Sequence, residues 1–138
     1  MDFQAGLLAR LLADPAVSGI AGTRVHWLDR PQAEALPAIS LQVISDPRPQ
    51  HLKGFDGARD TTVQVDCWAA SYGEALALAR ASIAALAPPA TISGKRFGGT
   101  QVIGQRDLGE TVGGVGSRSG GTFIHRQSVD FLVRHIGD

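Results

Sequence analysis

The chain has 138 residues, 43% of them apolar, enough to bury one core and too few to call for a second, so a single domain over residues 1–138 is expected. Thirteen basic residues balance thirteen acidic ones, which excludes an overall field drawing the molecule onto nucleic acid, anionic lipid or an acidic substrate. A lone cysteine, Cys67, excludes an intramolecular disulfide, and no stretch approaches the roughly 20 apolar residues of a membrane span.

The first residues, Met-Asp-Phe-Gln, carry neither a basic segment nor the apolar run of a signal peptide, so synthesis in the cytoplasm is expected. Phe3, Leu7, Leu8, Leu11 and Leu12 recur near every 3.6 residues and predict an amphipathic helix that Asp14-Pro15 stops. Residues 19–23 read as a turn and 24–28 as a short strand with Val25 and Trp27 on one face. Residues 31–37 are then a connecting loop. Over 38–45, Ile39, Leu41 and Val43 alternate with Ser40, Gln42 and Ile44, the period-two pattern of a second strand. Residues 46–57, DPRPQHLKGFDG, are too polar for a core and predict a projecting loop between hairpin strands.

Residues 61–86 run an alternating strand straight into a helix. Val63, Val65 and Cys67 oppose Gln64, Asp66 and Trp68, and Ser71 with Glu74 forms a capping box for a helix with its stripe on Leu76, Ala79, Ile83 and Leu86. Pro88-Pro89 ends that helix. Residues 95–106 predict a fourth strand, interrupted at Gly98-Gly99 and Gly104 by bulges. The glycine-rich segment 109–121 reads as a second projecting loop, expected to be mobile in the isolated protein. Residues 122–135 close the chain as a long strand with Phe123, Val129, Phe131 and Val133 on one parity.

The order is therefore α-β-β-β-α-β-β. It predicts an α+β fold: a mainly antiparallel mixed sheet of about five strands with two helices packed on one face. The other face, with Gln64, Asp66, Trp68, Arg126 and Asp130, is either solvated or turned to a partner.

No chemistry stands out. The glycine-rich segment lacks a following Lys-Ser or Lys-Thr pair and leads into a strand, so it is not a phosphate cradle. His26, His51, His125 and His135 show no ligand spacing; His125 and His135 lie about 33 Å apart along one strand at the usual rise. Cys67 falls on an apolar face as a buried thiol, Ser71 is committed to its cap, and Ser117 and Ser119 sit in the glycine-rich loop without a nucleophile elbow. Asp56 and Asp60 flank a turn. No catalytic, cofactor or metal site is expected, and the protein is not read as an enzyme. Eleven of the thirteen basic residues are arginine, which suits contacts to carboxylates across protein interfaces.

Four segments resemble the tail-completion, or tail-terminator, proteins of long-tailed phages and gene-transfer particles. They are LLARLLADPAVSGIAGTRVHWL, LPAISLQVIS, VQVDCWAASYGEALALA and RQSVDFLVRH, which in order and spacing span nearly the whole chain. The resemblance implies a virion protein, made in the host cytoplasm, that caps the head-proximal end of the tail tube as a homohexameric ring, stops tube growth and joins the head. Its partners would be further copies of itself, the tail tube protein and the head–tail connector protein. DNA would pass through without specific binding, in keeping with the balanced charge, and no membrane is involved. Arg48, Lys53 and Phe55 in the first loop, and Glu110, Val115 and Arg118 in the second, are the expected subunit or tube contacts. The alternatives are a connector adaptor or stopper, a nucleic-acid binder, and a small ligand-binding domain or enzyme using the sheet face near Trp68.

Overall fold

A computed structural model describes residues 2–29, 35–47, 50–51, 54–55, 57–112 and 122–136. Helix α1 (Phe3–Ala13) starts on Asp2, whose carboxylate accepts from the Ala5 N–H at 2.8 Å. Asp14 does not merely stop it. The Asp14 carboxylate accepts from the N–H groups of Ala16 (3.0 Å) and Val17 (3.1 Å), and Pro15 takes the first position of a second helix, α2 (Pro15–Ala21). The turn expected over 19–23 is thereby displaced, the chain leaving the helix only at Gly22, with φ +60°.

Strand β1 (Val25–Trp27) lies parallel to β2 (Ala38–Ser45), and β2 pairs antiparallel with β5 (Ala58–Ala69), placing Ile39 opposite Cys67 and Leu41 opposite Val65. Between them, β3 (Gln50–His51) and β4 (Gly54–Phe55) form a separate small ladder. Helix α3 (Tyr72–Leu86) follows β5, then β6 (Ala90–Ile92), β7 (Lys95–Val112) and β8 (Thr122–Ile136). The main sheet is ordered β1-β2-β5-β8-β7-β6. The α+β class thus stands, with corrections: the described residues form three helices rather than two, and six strands in the main sheet rather than about five.

Val63, Val65 and Cys67 of β5 and Val129, Phe131 and Val133 of β8 share one sheet face and are fully buried with Ile39, Leu41, Phe3, Leu7, Leu11 and Leu78. Ser71 caps α3 as expected, accepting from the Glu74 N–H at 3.2 Å. The helix is rotated from the expected stripe, however. Ala75, Leu78, Ala79, Ser82 and Leu86 are buried, while Leu76 and Ile83 are half-buried flanks. Small side chains at 75, 79 and 82 let the helix axis approach β5 closely, with Ser82 Oγ 3.8 Å from Cys67 Sγ. The register of β7 against β8 shifts between Phe97 and Thr100 and again between Val102 and Gly104, the bulges that the glycines signalled.

Candidate functional site

Strand β7 does not end near Arg106. It continues to Val112 in unbroken register with β8, from Gly104 opposite Asp130 to Val112 opposite Thr122, so residues 109–112 belong to the ladder and not to the expected loop. Strand β5 stops pairing with β8 at Ala69 opposite His125. Beyond that level β7 and β8 pair only with each other among the described residues, forming a two-stranded arm. Gly109 makes this possible, because any Cβ there would collide with the Phe123 ring.

The arm is anchored at its base by polar groups on the helix-bearing face. Gln127, buried, donates from Nε2 to Asp107 at 2.5 Å and accepts from Gln105 Nε2 at 2.8 Å, while Tyr72 donates its phenol to Asp107 at 3.2 Å. The Asp107 carboxylate holds the Tyr72 phenol above its ordinary pKa, since ionising it would set two negative charges side by side. His125 packs edge-on against Phe123, with ring centroids 4.8 Å apart. Phe123 shares its parity with the core residues, but because β8 runs past β5 here its ring is 49% exposed. Leu108 is exposed as well.

The opposite sheet face closes on itself. Arg126 stacks over Trp68, its guanidinium carbon 4.8 Å from the ring centroid, and reaches Asp66 at 4.0 Å; Trp68 donates from Nε1 to Ser40 Oγ at 3.0 Å. Gln64 donates to both Asp66 oxygens and Arg106 pairs with Asp130 at 2.9 Å. The polar groups around Trp68 are thus engaged with one another and do not converge on a ligand position. Cys67 is inert: burial pushes its thiol up to about 12. Among the described residues no three His, Cys, Asp or Glu side chains are placed to hold a metal.

Of the expected contacts, Glu110 is exposed on the arm opposite Ile124, and Phe55 lies in β4 of the first loop. Arg48, Lys53, Val115 and Arg118 lie outside the described residues. The roots of the two loops are not neighbours. The first loop is rooted where β5 begins, at Ala58 opposite Ile136, and the arm leaves where β5 ends, about 35 Å away at the rise of an extended strand. The first loop's root is held by Asp46, which accepts from Thr61 Oγ1 at 2.9 Å and lies 3.7 Å from the Arg59 guanidinium.

The family model described as "Tail completion protein gp17" matches residues 5–118. The chain belongs to the tail completion protein family. It is accordingly a structural protein of the phage-type virion tail. Comparison with curated proteins finds no significant match. A solved chain from "Virion of native gene transfer agent (GTA) particle" shares the fold of this tail completion protein, at 22% identity and a TM-score of 0.69 over 98% of this chain and 95% of that one.

Proposed function

We propose that this tail completion protein caps the head-proximal end of the tail tube as a ring of six subunits, stops tube elongation and presents the surface that the head–tail connector joins. The observation that supports the reading is that the chain leaves the main sheet for the first loop where β5 begins, while the β7–β8 arm leaves it where β5 ends. A terminator must hold two different partners at once, and a rigid sheet between two projecting elements keeps one group of contacts on the tube side and the other on the connector side. Arg48, Lys53 and Phe55 contribute to one surface; Glu110, Val115 and Arg118, with the exposed Phe123, contribute to the other. Head-to-tail contacts around a closed rotation give each copy this same pair of faces. The similarity to a gene transfer agent virion chain supports a particle of that kind.

Removing residues 113–120 tests it. The fold should persist, since the main sheet and the helices lie outside that segment. Tails should then lengthen without limit or fail to take heads, and purified tubes should no longer acquire a ring of six copies at one end. Normal tails from that variant would sink the reading.

A further inference from the structure

Among the described residues, no strand pairs with the outer edge of β7 beyond its contact with β6. Strand β6 pairs only with Lys95, Arg96 and Phe97, and the Thr100 N–H is taken by Ala87 O at 3.1 Å. From Gln101 to Thr111 the chain is exposed at every residue but the half-buried Gly104. A long open edge is a template for another strand.

We propose that free chains pair two-fold through this edge, strand β7 against strand β7 of a second copy, antiparallel and centred on Leu108. Three observations select that partner and that register. The first is which groups point outward. Thr100 directs its N–H away from β8 and sits opposite Val133, so the alternation along the unbulged β8 makes the partners of Val129, Gln127, His125 and Phe123 outward-facing as well. Those partners are Gln105, Asp107, Gly109 and Thr111. A two-fold axis at Leu108 sets Asp107 against Gly109 and Gln105 against Thr111, outward groups meeting outward groups, for about eight backbone hydrogen bonds.

The second observation is charge. The same axis places Arg106 directly opposite Glu110 of the other copy, twice by symmetry, on one face of the extended sheet. Moving the centre to Asp107 sets two carboxylates against each other, and moving it to Arg106 or Glu110 does the same for two like charges. Glu110 is exposed and makes no ion pair among the described residues, so its carboxylate is available. The third is the apolar centre: Leu108, 37% exposed, meets its own copy at a position where facing side chains are closest.

A two-fold pair points its two arms in opposite directions, so it is incompatible with a ring whose copies share one tube face and one head face. It is the form of the protein before assembly, protecting an edge that would otherwise template aggregation. The inference does not rest on the ring reading, because it concerns chains that have met no tube.

The test uses the full chain without tubes. Native mass should be twice the 14.5 kDa subunit. Leu108→Cys should cross-link to itself under mild oxidation, and Arg106→Cys chains mixed with Glu110→Cys chains should cross-link to each other. Glu110→Arg should weaken pairing about tenfold, since it replaces two opposite-charge contacts with like-charge ones. A monomer up to the solubility limit overturns the proposal. So does any oligomer, six-fold included, in which neither cysteine arrangement forms a bridge.

Discussion

Lys95 Nζ donates a hydrogen bond to His135 Nδ1 at 3.0 Å, where the imidazole is fully buried and stacked on Phe3 at 4.2 Å. An ammonium has only donors, so Nδ1 accepts and the ring proton sits on Nε2. Nε2 then donates to Thr61 Oγ1 at 2.7 Å, and the Thr61 hydroxyl passes its proton side to Asp46 Oδ1 at 2.9 Å. This one-directional chain ties the end of β8 to the root of the first loop.

Burial first, and the charges of Lys95 and Arg59 second, push His135 down to about 4 from 6.5. Between those two values the unfolded chain takes up a proton that the folded chain refuses, so stability falls as pH drops from about 6.5 to about 4 and this group adds no slope above 6.5. Urea melts at pH 7 and pH 4.5 should show it, and His135→Asn, which keeps an acceptor for Lys95, should flatten the difference. An unchanged pH slope in that variant would contradict the buried neutral imidazole.

Arg10 closes the end of α3. Its Nη2 donates to the carbonyls of Ala85 (3.1 Å), Leu86 (3.3 Å) and Pro88 (2.7 Å), and its guanidinium lies 5.1 Å from the Phe97 ring centroid. Charge-assisted bonds to helix C-terminal carbonyls favour the fold, while the desolvated cation costs part of that gain. Arg10→Met, which keeps the stem packing, should lower stability by about 2 kcal/mol in chemical denaturation. Arg10→Lys should recover little, because a single ammonium cannot reproduce the planar reach.

Gly6 sits inside α1, where alanine would ordinarily stabilise by about 1 kcal/mol. A Cβ there would lie 2.8 Å from Phe97 Cζ and 3.0 Å from Cε2. Phe97 is buried against Phe3 and cannot give way freely, so the overpacking cost of about 1–3 kcal/mol outweighs the propensity gain. Gly6→Ala should therefore lower the melting temperature; a rise would mean that the helix shifts over the sheet without strain.

Cys67 offers a clock for opening. With the thiol at about 12 and no exposure, a disulfide reagent at pH 8 should react only through unfolding, at a rate that rises with urea. Immediate stoichiometric labelling of the native chain would refute the packing of β5 under α3. The same inertness leaves an introduced cysteine as the reactive one in cross-linking.

Strands with one dominant apolar parity were legible: Ile39, Leu41 and Val43 in β2, and Val63, Val65 and Cys67 in β5, announce both the strand and its buried face. The Ser71 cap was legible for the same local reason. Asp14-Pro15 carried its signal but is ambiguous, since the dipeptide that ends one helix is also the cap and first residue of another. Strand β6 was overlooked behind Pro88-Pro89, although Ser93-Gly94, both at positive φ, forms the tight turn into β7 that such a pair marks. The exposed arm was hidden by its glycines: Gly109 reads as loop because sequence does not reveal that the Phe123 ring needs the space. Arg10, Lys95 and His135 look like surface residues, and only tertiary closure supplies the carbonyls and hydroxyl that let them be buried. The root of the first loop and the arm that carries Glu110 lie at opposite ends of β5, a relation set by strand register, which spacing along the chain does not determine.

Phe123 separates folding from assembly. Its ring is half exposed, beyond the last pair of β5 with β8, and packs on Gly109 and His125, outside the buried core cluster. Phe123→Ser should thus change stability by less than about 1 kcal/mol. Under the proposed function the ring serves as an apolar anchor for the partner at the arm, so the variant should bind tube ends weakly and leave tails incomplete. Counting finished particles and measuring the melt of the same variant distinguishes the two roles. Normal tail completion would remove the arm's apolar surface from the interface, and a large loss of stability would return Phe123 to the core.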